Sequence, residues 1–280
     1  MQSVAYYNGE MAHPDELRVP FLDRVCFFGD GVYDATMAVD GVVVFFEDHL
    51  DRFANSMRFV KIEPAWSREW LAGQIQRVVD ACGAPSQFVY WQVTRGTAPR
   101  AHEFPQVEPN LWIYAEPRDF ADLDREVSLV SQVDKRFSYC NVKTLNLLPN
   151  VLAAQEAVAN GCHETVFVRD GYVTEGSHCN IHMIADGVFV THPADEHILP
   201  GSARKHMIAA CGQLGIPVEE RLYTLDELMA ADEVLVTSSS SIALRACSID
   251  GKAVGRRDEQ AYQALRQALS DELAAYVNTR

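Results

Sequence analysis

Lys143 is one of five lysines in the chain and the one set in a largely apolar run, residues 141–148. An amine can hold an aldehyde as a Schiff base, and apolar surroundings lower its pKa so that the neutral nucleophile is available. About thirty residues later, Thr174, Glu175, Gly176 and Ser177 place a carboxylate on a turn between two apolar stretches. A carboxylate so placed can keep a heteroaromatic nitrogen protonated. Taken singly, each residue has a commoner explanation: a lysine that snorkels and a turn that is only a turn. Further pieces raise the reading. Residues 199–204 lead into a helix, so the amides of Ser202 and Ala203 can face an anion. Residues 237–241, with Ser239 among them, offer hydroxyls and amides after a strand, and Arg52 can add charge. Arg100 and His102 lie on a proline-bounded loop, where an arginine fork and an imidazole can bind a carboxylate.

The elements that must hold these residues are mixed. Residues 41–46 form a β-branched and aromatic run that predicts a strand. Leu50, Phe53, Ala54 and Met57 then recur at helical spacing, with Arg52 and Ser56 off the apolar stripe. Ser67 caps a helix expected to reach Cys82, with Trp70, Leu71, Ile75, Val78 and Val79 inward and Gly83 as its stop. Neighbouring strands are expected over 88–94 and 111–114, joined by the loop with Pro99 and Pro105. Periodicity breaks over 115–122, so the domains are expected at 1–116 (the smaller) and 124–280, linked by 117–123. In the second part, strands are expected at 127–133, 164–168, 180–184, 188–191 and 233–237. Helices are expected over 150–160, from Ser202 with Met207, Ile208, Cys211 and Leu214 inward, after Thr224 with Glu227 closing a capping box, and over 258–277. Strands and helices do not alternate regularly, which makes the fold class α+β.

At 280 residues, of which 48% are apolar, the chain can bury a substantial core. Its formal charge of −15 repels nucleic acid and anionic membranes, so neither is an expected partner. No apolar run is long enough to span a bilayer and no secretion signal is visible, so a cytoplasmic location is expected. The seven cysteines are scattered with no C-x-x-C pair, which argues against a disulfide framework or a zinc site; no metal is expected.

Taken in order, the motifs form a set: Phe28-Gly-Asp-Gly-Val-Tyr33, His49 with Arg52, residues 93–97 with Arg100 and His102, residues 143–148, Thr174 to Asn180, Leu199 with Gly201 and Arg204, and residues 236–238. Together they resemble the fold type IV pyridoxal-phosphate-dependent aminotransferases, and look most like the D-amino acid transaminase branch. The resemblance runs from about Tyr7 to Gly251. It implies a two-domain fold with pyridoxal 5′-phosphate in the interdomain cleft. Lys143 would anchor the cofactor and carry the proton, and Glu175 would keep its ring nitrogen charged. Arg52, Ser202, Ala203 and Ser239 would hold the phosphate. Tyr33, Arg100 and His102 would bind substrate, the last two reaching across a homodimer that shares its active sites. The implied reaction moves the amino group of a D-amino acid such as D-alanine to a 2-oxo acid such as 2-oxoglutarate, by a ping-pong course.

Departures from the family pattern cluster at 242–246, where Ile242 and Arg245 replace an expected carboxylate and proline, and at His178 and Cys179. Arg245 could bind an anion or lie on the surface. The alternatives are a branched-chain or (R)-amine transaminase, an aminodeoxychorismate lyase, and an idle binding protein on the same scaffold.

Overall fold

Val32, Asp34, Thr36 and Ala38 alternate inward between Gly31 and Val39, and the strand they form organises the first of two units. The computed structural model describes residues 2–120, 122 and 124–279. One unit comprises Met1–Phe120, Val142–Asn146 and Tyr276–Arg280; the other comprises Ala121–Asn141 and Leu147–Ala275. Ala121 and Leu123 of the expected linker lie outside the described residues.

The first unit holds β1 (Val4–Tyr7), β2 (Glu10–Ala12), α1 (Val25–Phe28), β3 (Gly31–Val39), β4 (Val42–Val43), α2 (Phe46–Phe59), α3 (Arg68–Cys82), β5 (Ser86–Thr94) and β6 (Asn110–Pro117). The strands form an antiparallel sheet in the order β2-β1-β6-β5-β3-β4. Val32, Val89, Trp91, Val93 and Ile113 pack with Leu50 and Phe53 of α2 and with Leu71, Ile75 and Val78 of α3. Ser67 caps α3 by accepting from the Trp70 amide, and Gly83 ends it in the left-handed region, as its sequence predicts. Trp70 itself is largely exposed, contrary to expectation. The strand expected over 41–46 shrinks to β4, because Phe45 takes a left-handed conformation (φ 48°) and α2 begins at the next residue. Arg52 and Ser56, expected off the buried stripe, are buried. That face of α2 is polar because polar groups meet it.

The second unit holds β7 (Glu126–Val133), α4 (Leu148–Ala159), β8 (Glu164–Arg169), β9 (Tyr172–Val173), β10 (Asn180–Ala185), β11 (Val188–Thr191), α5 (Ser202–Leu214), β12 (Val218–Glu220), α6 (Leu225–Ala230), β13 (Glu233–Thr237), β14 (Leu244–Ile249), β15 (Lys252–Ala253) and most of α7 (Glu259–Asn278). Its sheet runs β12-β11-β10-β13-β14-β7-β8-β9, with β15 on β14. Parallel pairs β7–β8, β7–β14 and β11–β12 mix with antiparallel ones, so the protein is α+β. Val127, Leu129, Val166, Ile181, Met183, Val234 and Ile249 form the core. The capping box of α6 forms as predicted, Thr224 and Glu227 satisfying each other's amides. On α5, Met207 and Cys211 are buried, whereas Leu214 is 42% exposed.

Candidate active site

Lys143 is held by backbone, not by an element of its own. Tyr33 N donates to Lys143 O (2.9 Å), Leu145 N to Gly31 O (3.1 Å), and Val32 bridges Thr144, so 143–145 runs as an extra strand against the start of β3. The Lys143 amide donates to Ser56 Oγ (3.2 Å), which explains why that serine is buried on α2. Gly31 must be glycine here, since a Cβ would collide with Val93 O. Lys143 is only partly buried, and its Nζ lies 4.4 Å from the centroid of the Tyr33 ring. The apolar setting expected from the sequence is therefore replaced by an aromatic face. Tyr33 stacks on Tyr90 (5.4 Å, 25°), and the Tyr90 hydroxyl donates to Gln92 Oε1 (2.7 Å). Gln92 stands opposite Tyr33 in the β3–β5 register, and its buried Nε2 has no hydrogen-bond partner among the described residues.

Arg52 is oriented by Asp34, to which it donates from Nε (2.9 Å) and Nη2 (2.7 Å). His49 Nδ1 lies 2.8 Å from Asp34 Oδ1, and all three side chains are buried. Burial alone would raise the Asp34 pKa, but Arg52 and His49 outweigh it and hold the carboxyl far below the usual range. Burial keeps the His49 pKa low despite Asp34. The Arg52 cation is correspondingly stabilised, Asp34 overcoming its desolvation. A fork fixed in this way is suited to binding a phosphate.

Arg100 and His102 are exposed, and both pack on one ring: Arg100 Cζ is 5.0 Å and the imidazole 5.2 Å from the Phe28 centroid. The loop is tied down by a buried network of Arg24, Asp30 and Arg95, the last two inside the motifs at 28–33 and 93–97. Arg24 donates from Nε to Asp30 (2.7 Å) and from Nη1 to Ala101 O (2.6 Å) and Glu103 O (3.3 Å). Arg95 donates to both Asp30 oxygens at 3.0 Å and covers Phe104 at 3.6 Å. Gly96 takes φ +112°, where a side chain would strike Glu108 O.

In the second unit, Glu175 is buried and receives Arg136 Nη1, Asn180 Nδ2 (2.9 Å) and Leu199 N (3.0 Å). Arg136 is in turn gripped by Asp134 through Nε (3.0 Å) and Nη2 (2.9 Å). Desolvation opposes its charge, but Glu175 and Asp134 overcome that and raise its pKa. Both oxygens of Glu175 thus receive donors from the protein, which fixes the orientation of the carboxylate. Neither Asp134 nor Arg136 was singled out in the sequence. Their spacing of two, just past a strand, is the only local hint of a fork.

Ser202 and Ala203 open α5 after Gly201, with no acidic residue in the first turn, so their amides lie at the positive end of the helix dipole. A Cβ at Gly201 would collide with Asn180 Oδ1. Ser239 lies on the turn after β13, which Ser238 shapes by accepting from Ile242 N (2.8 Å) and pairing with Ser241 Oγ (2.7 Å). Arg204 is buried against Glu220 (2.6 Å) and His192 O (2.9 Å), a structural role. Arg245 is neither an anion site nor a surface residue: it is buried, paired with Glu233 and Glu259 (both 2.6 Å). Burial pushes the Cys140 thiol up to about 11, against the pull of Arg136, and raises Cys179 as well. Neither is therefore an activated nucleophile. An amine, anion-binding groups and a buried carboxylate are the groups that a phosphorylated pyridine aldehyde requires.

The model of the family described as "Amino-transferase class IV" matches residues 31–249, a span that includes Lys143, Arg52 and Glu175. The chain belongs to the class IV aminotransferases. Within this family it is 34% identical to a D-alanine aminotransferase of Bacillus licheniformis over 252 residues, covering 89% of each chain. It is 33% identical to that of Staphylococcus haemolyticus over 279 residues, covering 98% of each. Among solved structures it is similar to the branched-chain amino acid aminotransferase of Escherichia coli, with a TM-score of 0.89 at 22% identity over 98% of this chain and 95% of that one. A fold IV transaminase from Curtobacterium pusillum superposes with a TM-score of 0.83 at 23% identity, covering 100% of both. Those two likenesses establish the aminotransferase fold.

Proposed function

We propose that this class IV aminotransferase is a pyridoxal-phosphate-dependent D-amino acid transaminase, passing the amino group of a donor such as D-alanine to a 2-oxo acid such as 2-oxoglutarate. The observation that carries the reading is the loop with Arg100 and His102, held on Phe28 by Arg24 and Asp30. It brings a guanidinium and an imidazole to one aromatic ring, and both groups can donate to an α-carboxylate. The D-alanine aminotransferase relatives, 33% to 36% identical over most of the chain, support the same branch.

Pyridoxal phosphate, when bound, supplies an electron sink that makes the Cα proton of an amino acid removable. Lys143 anchors it and moves that proton with Nζ, which the Tyr33 ring positions. Glu175 keeps the ring nitrogen protonated, and Arg136, Asn180 and Leu199 fix its carboxylate for the task. Arg52, the Ser202 and Ala203 amides and Ser239 hold the phosphate. Tyr33, Arg100 and His102 orient the substrate.

A homodimer sharing its active sites fits the surface. Leu148, Val151, Leu152 and Val158 of α4 are each at least 60% exposed, and Phe21 and Phe104 are 80% and 55% exposed. The four on α4 lie on one helix, as a surface that a second copy could cover would have them. All seven cysteines are free, which suits the reducing cytoplasm. Among the described residues no helix is long and apolar enough to cross a membrane. The test is pyruvate formation from D-alanine and 2-oxoglutarate beside amino transfer from L-leucine. Pyruvate from the first pair is expected; leucine turnover without pyruvate would establish the branched-chain reading instead.

A further inference from the structure

We infer that His192, Asp195 and His197, on the loop between β11 and α5, form a binding site for a zinc-class divalent cation. The scattered cysteines gave no reason to expect a metal, and this site uses none of them. One ligand atom from each of the three residues lies within 4.8 Å of the others. Asp195 Oδ1 stands 3.7 Å from His192 Nδ1 and 3.5 Å from His197 Nδ1. Zinc bonds of about 2.0–2.2 Å at a tetrahedral angle set neighbouring ligand atoms roughly 3.3–3.6 Å apart. The carboxylate therefore already stands near coordination distance from both imidazoles. Closing the site requires that the rings approach each other and that His192 exchange its Nδ1 contact with Pro193 O for the metal or present Nε2. His192 is buried, whereas the Asp195 and His197 side chains are 33% and 32% exposed and have room to turn.

The backbone behind the ligands is fixed. His192 O accepts from Arg204 Nη2 (2.9 Å), His197 O from Arg136 Nη2 (3.0 Å), and Asp195 Oδ1 from the His197 amide (2.8 Å). The two guanidiniums are matched by Glu220 and by Asp134 with Glu175, so they do not leave an unbalanced positive field. The His192 ring must offer an unprotonated nitrogen to ligate a metal. Its Nδ1 now lies 2.9 Å from Pro193 O, an interaction that a metal would replace unless the ring presented Nε2. Two imidazole nitrogens with one carboxylate select zinc, cobalt or nickel over calcium or magnesium, which take oxygen ligands. Three protein ligands leave a position for water.

The loop also serves Glu175. Leu199, two residues past His197, donates to the Glu175 carboxylate, and His197 O holds the arginine that pairs with it. A cation here would stiffen the support of that acid. The site itself does not depend on the role proposed for Glu175, so an inactive enzyme would not bear on it.

The experiment is calorimetric titration of Zn²⁺, and separately Mg²⁺, into the cofactor-loaded protein and its Asp195→Asn and His197→Ala variants, each checked for an unchanged fold by circular dichroism. One equivalent of Zn²⁺ is expected on the unaltered protein, with affinity at least tenfold weaker in both variants and no Mg²⁺ binding. Zn²⁺ should raise the melting temperature of the unaltered protein and not of the variants. Zn²⁺ binding of equal strength in the variants, or none at micromolar concentrations in the unaltered protein, would overturn the inference.

Discussion

Arg24 lies in no substrate-binding role, yet its replacement should change substrate affinity. Its Nη1 donates to Ala101 O and Glu103 O, the carbonyls on either side of His102, while Nε engages Asp30. In Arg24→Lys the charge beside Asp30 stays, but a point-charge ammonium cannot serve Asp30 and both carbonyls at once. Two hydrogen bonds at about 0.5–1.5 kcal/mol each give a loss of roughly 1–3 kcal/mol in the hold on the loop. If the loop must be seated for Arg100 and His102 to grip a carboxylate, the competent fraction falls and KM for D-alanine rises by roughly 5- to 150-fold. The proton transfer proposed for Lys143 would be untouched once substrate is bound, so kcat should fall much less than KM rises. Steady-state kinetics over a range of D-alanine, with the melting temperature beside it, measures both. An unchanged KM in a well-folded variant would show that the loop is held by other means. A KM change matched by an equal fall in kcat would place Arg24 in the chemistry instead.

Three further outcomes are expected. Arg100→Ala should lower kcat/KM for D-alanine at least about tenfold, since a charge-assisted bidentate contact contributes roughly 1.5–3 kcal/mol. An unchanged value would move the clamp elsewhere, though not to Arg245, which is already paired. Glu175→Gln should depress kcat and also destabilise the protein, because the carboxamide cannot accept fully from Arg136, Asn180 and Leu199. Loss of roughly 1.5–3 kcal/mol corresponds to a melting shift of about 3–10 °C, and a variant with native melting and native kcat would contradict both roles. His182 is buried between Thr191 and Thr237, and burial pushes its pKa down to about 3. Its folded value lies below its unfolded one, so its contribution is complete above pH 6.5 and is lost as pH falls toward 3. Urea unfolding should show about 2 kcal/mol lost between roughly pH 6.5 and 5 from this group alone, absent in His182→Gln; equal slopes would exclude His182 as the cause.

Features set by neighbours in sequence were legible. The Ser67 cap and Gly83 stop of α3 and the Thr224–Glu227 box of α6 are local hydrogen bonds, and both are found where their spelling puts them. The pairing of β5 with β6 followed from two apolar runs joined by one loop. What failed depended on distant partners. Phe45 leaves the expected strand for a left-handed turn and meets the ring of Tyr276, far along the chain. Arg52 and Ser56 broke the apolar stripe of α2 and so looked solvated, yet Asp34 and the Lys143 amide bury them. The candidate site shows the same division. Lys143, Glu175 and Arg52 stood out by type and motif, whereas Arg136, Asp34 and Arg24 work by holding them or their loop. Such supporting groups carry no pattern until the fold brings their partners near.

The central claim is a covalent bond between the ε-amine of residue 143 and a vitamin B6 aldehyde. Borohydride reduction of the purified, cofactor-loaded protein followed by peptide mapping tests it directly. The label is expected on the peptide carrying Lys143 and on no other. Label on Lys61, Lys135, Lys205 or Lys252 instead, or on none, would contradict it.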